Sequence, residues 1–130
     1  MKIMGIGVDI VDNKRFQKLI KKKKFLSRIF TNNEINYSKS LKNKTSYYSK
    51  KFAAKESFSK ALGTGFRNSL NFKDIEVLND KLGKPYFNLN NKIQKIIINA
   101  LNEKKIELFL SISDEKDYSI AFTILQKKNV

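Results

Sequence analysis

The chain has 130 residues and a formal net charge of +15, with no cysteine and no histidine. This length suits one domain over residues 1–130, and the missing residue types exclude disulfides, thiol nucleophiles, iron–sulfur clusters and the usual histidine base. A metal ion in this chain would therefore be bound by oxygen ligands, which suits a hard ion such as Mg²⁺.

The first half of the chain predicts one strand followed by helices. Residues 2–11 are mostly apolar and include two glycines, which suits a buried strand. Three helices are then predicted over residues 13–24, 31–42 and 46–62. The first ends in four lysines at 21–24, where cations suit the negative helix end, and Gly63 ends the third. Thr31 and Glu34 have the spacing of a capping box at the start of the second helix.

The second half predicts mainly strands. These cover residues 73–80, 86–89, 106–113 and 118–125, and one helix is predicted over 91–103. The turn-forming residues 114–117 separate the last two strands, so we expect these strands to form a hairpin. Helices dominate the first half and strands the second, which predicts an α+β fold with an antiparallel sheet and a long central helix.

Two acidic residues are candidates for chemistry. Asp9 lies inside the apolar first strand, where a carboxylate costs several kcal/mol unless it is paired, hydrogen-bonded or metal-bound. Glu56 precedes Lys60 by four residues on the longest predicted helix. The local sequence leaves simpler alternatives open. Asp9 could cap the following helix, and Glu56 and Lys60 could form an exposed ion pair.

Six segments together form a more specific pattern than any one alone. They are residues 5–11 (GIGVDIV, followed by Arg15), 52–65 (FAAKESFSKALGTG), 74–77 (DIEV), 83–85 (GKP), 111–113 (SIS) and 118–121 (YSIA). In this order they resemble the motifs of the holo-acyl-carrier-protein synthase family, and the resemblance covers essentially the whole chain.

The resemblance implies a phosphopantetheinyl transferase that supports fatty acid biosynthesis. Such enzymes move 4′-phosphopantetheine from coenzyme A to a serine of apo acyl-carrier protein and release adenosine 3′,5′-bisphosphate. It implies that Asp9 and Glu56 bind Mg²⁺ and act in catalysis, and that Lys60 contacts the coenzyme A phosphates and protonates the leaving group. The base that deprotonates the serine is either a water on the metal or the Glu56 carboxylate. The segments that help to hold the nucleotide end are Gly63-Thr64-Gly65 and Gly83-Lys84-Pro85.

The basic stretch at the end of the first predicted helix suits nucleic acid or an acidic helix of a partner protein, or is simply a solvated helix end. The resemblance implies that an acidic helix of the carrier protein contacts Arg15, Lys21, Lys22, Lys24, Phe25 and Arg28. It also implies a homotrimer with active sites between neighbouring subunits, and strands 106–113 and 118–125 are candidates for the trimer core. No apolar stretch approaches the roughly 20 residues of a membrane span, and the N-terminus has no cleavable signal pattern. We therefore expect a cytoplasmic protein with no membrane partner.

One position departs from the family pattern. The family usually has histidine in the coenzyme A site after the Ser-Ile-Ser segment, whereas this chain has Asp114. An acid there should weaken coenzyme A binding unless it turns away or a lysine offsets its charge. A degenerate family member that binds coenzyme A without catalysis is therefore an alternative.

The net charge alone fits a different class, a nucleic-acid-binding domain. That interpretation predicts tight and strongly salt-dependent binding to DNA or RNA. The chain has no arginine-rich or aromatic-rich recognition motif, so we expect no nucleic-acid partner. Lysine, asparagine and isoleucine share A/T-rich codons, and genome composition is a hypothesis for part of the lysine excess.

Overall fold

The computed structural model describes residues 2–66 and 70–128. In chain order, the elements are β1 (Lys2–Asp12), α1 (Asn13–Leu19), α2 (Lys23–Ile29), α3 (Asn32–Ser38), α4 (Lys44–Leu62), a 3₁₀ turn (Phe72–Asp74), β2 (Ile75–Asn79), β3 (Pro85–Leu89), α5 (Asn91–Leu101), β4 (Ile106–Asp114) and β5 (Tyr118–Lys127). One sheet has the strand order β1–β5–β4 and a second pairs β2 with β3, both antiparallel. The predicted α+β class is confirmed, with two sheets in place of one.

The first predicted helix is interrupted. α1 ends at Leu19, and a short turn leads into α2. The two helices pack through their aromatic side chains, with the rings of Phe16 and Phe25 edge to face at 5.9 Å between centroids. The prediction of one helix over 13–24 is therefore wrong. Lys23 and Lys24 lie in the first turn of α2, at the positive end of the helix dipole, and not in a last turn.

The other predicted elements are present with shifted ends. The capping box is confirmed, since Thr31 Oγ1 accepts from the Glu34 N–H at 3.2 Å and Glu34 Oε1 accepts from the Thr31 N–H at 2.8 Å. α3 ends at Ser38, however, four residues before its predicted end. Gly63 ends α4 in the left-handed conformation, with φ of 86°. The start of the predicted strand 73–80 is a 3₁₀ turn, and the β4–β5 hairpin forms as expected.

α4 is the central helix and is buried along most of its length. It contacts β1, β5, β2 and α1. Ala54, Phe58, Ala61 and Leu62, which helical spacing places on one face, are all buried. Polar residues of α4 are buried as well, including Lys51, Lys55 and Ser57. None of the helices in the described segments is long and apolar enough to cross a membrane.

β1 crosses α4 in direct backbone contact. A Cβ atom at Gly5 would lie 1.9 Å from the carbonyl oxygen of Ala61, and one at Gly7 would lie 1.9 Å from that of Ser57. Such distances are far inside van der Waals contact, so only glycine fits at either position. This close approach brings the following residues of β1, including Asp9, beside the C-terminal half of α4.

The β1–β5–β4 sheet has one covered and one open face. Val11, Ala121 and Leu125 are buried on the side that faces α4. The other side carries large apolar residues that are 39–59% exposed and lie opposite one another on neighbouring strands. We call this surface the apolar sheet face, and its residues are Ile6, Val8, Ile10, Phe109, Ile120 and Phe122. A contiguous apolar surface of this kind indicates an interaction site.

Candidate active site

Asp9 and Lys60 meet where β1 passes α4. Lys60 Nζ lies 3.1 Å from Asp9 Oδ1 and donates to the carbonyl oxygen of Val8, also at 3.1 Å. Asp12, and not Asp9, caps α1 by accepting from the Lys14 N–H at 2.9 Å. The helix-cap alternative for Asp9 is therefore wrong, and its carboxylate is free to take part in a site.

Glu56 lies one helical turn before Lys60 and close to Asp9. Burial, and then the negative charge of Asp9, raise the pKa of Glu56 above its ordinary value, while Lys60 and Arg15 oppose the rise. Among the ion pairs of the described residues, Lys60 is matched with Asp9 and not with Glu56. The simple i,i+4 ion pair on an exposed helix face is thus not what this segment forms.

The chemistry of this donor set suits a hard divalent cation. Asp9 and Glu56 both offer carboxylate oxygens. The two negative charges repel each other at a partly buried position, and a cation bound between them would relieve that repulsion. Within residues 2–66 and 70–128, no group of three or more acidic side chains is arranged to hold a metal ion unaided. A cation bound between Asp9 and Glu56 would therefore need further oxygen atoms from substrate or solvent.

The Gly63-Thr64-Gly65 segment follows Lys60 at the same end of α4. Gly63 and Gly65 have φ values of 86° and 60°, in the region that favours glycine. A Cβ atom at either position would have no heavy atom within 4 Å, so the turn is open. The segment therefore leaves room for a ligand next to Lys60, and its contact with a nucleotide stays a prediction.

The Gly83-Lys84-Pro85 turn lies elsewhere. Gly83 and Pro85 line a cavity with Lys51 of α4. Lys51 and Lys60 are nine residues apart, which corresponds to about 2.5 helical turns and about 14 Å along the axis, so they project from opposite faces of α4. Within one chain, the structure does not bring this turn to Asp9 and its partners.

Asp114 faces the same cavity as the Gly83–Pro85 turn. Its Oδ2 accepts from Ser46 Oγ at 2.9 Å, and Lys50 and Lys51 line the cavity beside it. The acid therefore does not turn away, but two lysines stand near it and can offset its charge. Weaker coenzyme A binding because of Asp114 stays a prediction.

A basic groove runs along α1 beside the acidic pair. It has a volume of about 720 Å³ and is lined by Asp12, Lys14, Arg15, Gln17, Lys18, Leu19 and Lys22. Arg15, which lines the groove, also opposes the rise in the pKa of Glu56 by its positive charge. Sequence reasoning missed Lys14 and Lys18. Their spacing with Lys22, four residues apart on a helix, was the available signal.

The remaining residues predicted to contact a carrier protein are mixed in exposure. Lys21, Lys24 and Arg28 are exposed. Phe25 is half-buried, because its ring packs against Phe16 at 5.9 Å and against Phe30 at 6.4 Å between centroids. Its ring therefore belongs in large part to the aromatic core and offers only part of its surface to a partner.

A buried ion pair holds the segment that carries Glu56. Lys55 is fully buried, and its Nζ lies 2.8 Å from Glu34 Oε1. The same ammonium donates to the carbonyl oxygens of Phe72 at 3.0 Å and Ile75 at 2.7 Å. Sequence reasoning assigned Glu34 only to the capping box, because nothing in the local pattern shows that a residue so far along the chain will pair with it.

Comparison with known proteins identifies the family. The profile of the 4′-phosphopantetheinyl transferase superfamily matches residues 5–123. The chain is 59% identical to a holo-[acyl-carrier-protein] synthase of Pelagibacter ubique, an alignment that covers 98% of this chain and all of the relative.

Two crystal structures show the same fold. A holo-(acyl-carrier-protein) synthase from Bacillus anthracis, in complex with CoA (3′,5′-ADP), is 37% identical, with a TM-score of 0.81 and coverage of 98% of this chain and 100% of that one. The holo-[acyl-carrier-protein] synthase of Neisseria meningitidis is 38% identical, with a TM-score of 0.85 and coverage of 96% and 99%. The chain therefore belongs to the 4′-phosphopantetheinyl transferase superfamily.

Proposed function

We propose that this protein transfers the 4′-phosphopantetheine group of coenzyme A to a serine of apo acyl-carrier protein and releases adenosine 3′,5′-bisphosphate. The proposal treats residues 1–130 as one transferase domain that works in the cytoplasm and supports fatty acid biosynthesis. Family membership supports this reaction class. The observation that carries the proposal to specific residues is the meeting of Asp9, Glu56 and Lys60 at one edge of α4.

Asp9 and Glu56 are the residues that would hold Mg²⁺. Bound there, the ion supplies positive charge that offsets the negative charge of the pyrophosphate and of the departing bisphosphate. Lys60 adds an ammonium group beside the same carboxylates, where it can donate hydrogen bonds to the phosphates and a proton to the leaving group.

In the reaction, the serine oxygen forms a bond to the phosphorus on the pantetheine side of the pyrophosphate. The bond between that phosphorus and the oxygen of the leaving bisphosphate breaks. The serine must therefore give up its proton to a base. The Glu56 carboxylate is the proton acceptor that this chain itself offers, and a water molecule beside the cation is the alternative acceptor.

The activity is tested by intact-mass spectrometry of an apo acyl-carrier protein incubated with this protein, coenzyme A and Mg²⁺. We expect the carrier to gain the mass of one phosphopantetheine arm, and we expect a chelator to prevent that gain. A carrier that stays unmodified with every divalent metal tested, while another transferase modifies it, would contradict the proposal and favour a protein that binds coenzyme A without catalysis.

We also propose that the protein is a homotrimer whose active sites lie between subunits. Two observations support this proposal. The apolar sheet face carries six large side chains that are 39–59% exposed. The Gly83–Pro85 turn and Lys60 lie on opposite faces of α4, so a site that uses both is completed when a neighbouring chain brings its own turn to the Lys60 side.

The trimer predicts a specific effect of Phe122→Glu. Phe122 is paired with Val8 on the apolar sheet face, and a carboxylate there would have to be buried against a neighbouring subunit. Light scattering coupled to size exclusion should give the mass of three chains for the wild type and of one chain for the variant. Tyr37→Glu changes an aromatic residue on α3 that is even more exposed, at 55% against 39% for Phe122, and should remain trimeric. A wild type with the mass of one chain would refute the trimer.

The basic groove predicts how the carrier protein is recruited. Reversing the charges of Lys18 and Lys22 together should lower kcat/KM for the carrier roughly tenfold at low salt, with a much smaller loss at high salt, because steering by charge is screened. Lys95→Glu with Lys104→Glu makes the same change in net charge on exposed residues outside the groove. Equal losses in the two double variants would show that overall charge, and not the groove, attracts the carrier.

A further inference from the structure

Lys51 is a buried lysine outside the acidic pair. It is 4% exposed, and desolvation by burial lowers its pKa to about 8. None of the ion pairs among the described residues includes it. An ammonium group in this environment costs stability, so the groups that it contacts indicate why it is there.

The contacts of Lys51 lead to the Gly83–Pro85 turn. Lys51 Nζ donates a hydrogen bond to Asn79 Oδ1, and it lies 5.3 Å from the centre of the Tyr47 ring. The amide of Asn79 then donates from Nδ2 to the carbonyl oxygen of Gly83 at 2.9 Å. The side-chain amide of Asn79 thus accepts a hydrogen bond from α4 through Oδ1 and donates one to the turn through Nδ2, so it connects the two.

Hydrogen bonds within the turn do not fix its position on the protein. Asp80 Oδ1 accepts from the N–H groups of Leu82 at 2.9 Å and Lys84 at 2.8 Å, and the Asp80 N–H donates to the carbonyl oxygen of Lys84. These bonds shape the turn but run between its own residues. The β2–β3 ladder holds the two ends of the turn through the Asn79–Pro85 pair, and within residues 2–66 and 70–128 side-chain hydrogen bonds connect the turn to α4 through Asn79 and Lys51.

We propose that Lys51 and Asn79 form a relay that positions the Gly83–Pro85 turn for binding the nucleotide end of coenzyme A. Both are positioning residues, since they act through the backbone of Gly83 and not on the reacting atoms. The inference rests on the proposed function, in which this turn contacts coenzyme A. It goes further by assigning roles to a buried lysine and an asparagine that the sequence motifs did not single out.

The relay predicts the same defect in Lys51→Met and Asn79→Ala. Each variant should raise KM for coenzyme A about tenfold and leave kcat within about twofold, because the turn binds a part of the substrate remote from the reacting bond. The double variant should be no worse than either single variant, since both remove one connection. The dissociation constant for adenosine 3′,5′-bisphosphate, measured by calorimetry, should rise in parallel.

Two patterns of binding among these variants would overturn the relay. If the charge of Lys51 binds the nucleotide directly, Lys51→Met weakens binding but Asn79→Ala does not. Asn88→Ala removes a different amide of the β2–β3 sheet, one that donates to Glu76 Oε1 at 2.8 Å. An equal rise in KM in Asn88→Ala would show general loosening of that sheet. A wild type without transferase activity would refute the proposed function, but unchanged affinity for the bisphosphate in active variants would refute only the relay.

Discussion

Glu56→Gln is expected to lower kcat for phosphopantetheine transfer by at least about a thousandfold, which corresponds to roughly 4 kcal/mol of lost transition-state stabilisation. The amide keeps the shape of the side chain but removes the negative charge that would hold a cation and accept a proton. Because burial and Asp9 already disfavour the charged form of Glu56, removing the charge should not destabilise the fold. Steady-state kinetics and a thermal melt of the same preparation check both parts.

Glu103→Gln is the matched control for this prediction. Glu103 is, like Glu56, a partly exposed glutamate, but it pairs with Lys127 at 3.2 Å in the loop between α5 and β4, away from Asp9 and Lys60. This variant should keep the activity of the wild type. Transfer by Glu56→Gln within tenfold of the wild-type rate would show that Glu56 is not essential to catalysis.

Gly7→Ala is expected to destabilise the protein by more than about 4 kcal/mol, or to prevent folding. The added Cβ would lie 1.9 Å from the carbonyl oxygen of Ser57 and 2.6 Å from the backbone nitrogen of Ala61. Both contacts are with helix backbone, which cannot rotate away as a side chain can. β1 would have to separate from α4, and Asp9 would then move away from Lys60.

Gly63→Ala is the control for the loss of a glycine as such. Gly63 has φ of 86° but no heavy atom within 4 Å of an added Cβ, so the change costs backbone strain of about 1 kcal/mol and no collision. Urea unfolding of the two variants and the wild type gives the comparison. If Gly7→Ala lost no more stability than Gly63→Ala, the close contact between β1 and α4 would not be what requires glycine.

Local patterns predicted much of the fold because local forces decide those features. The Thr31–Glu34 capping box and the end of α4 at Gly63 each depend on residues within one helical turn. The β4–β5 hairpin follows from two apolar segments with a short polar connection. The family resemblance, and not the local pattern, made these strands candidates for a trimer core, and Phe122 of β5 is exposed on one side of the sheet.

The features that the sequence did not predict depend on contacts between distant segments. The break between α1 and α2 follows from packing of Phe25 on Phe16, which overrides the helical pattern of the lysine run. The burial of Lys51 and Lys55 follows from the position of α4 in the core. Nor does the local pattern show that the Gly83–Pro85 turn and Lys60 lie on opposite faces of α4, which follows from helix geometry in the folded chain.

The central claim is that Asp9 and Glu56 act as one unit in phosphopantetheine transfer. The most direct test is the initial rate at which apo carrier protein gains the phosphopantetheine mass with the wild type, Asp9→Asn, Glu56→Gln and the double variant. Because either substitution alone should remove the function of the pair, the double variant is expected to be no slower than the slower single variant. The claim would be contradicted if the fold-reductions in rate of the two single variants multiplied in the double variant. Near-normal transfer by either single variant would also contradict it.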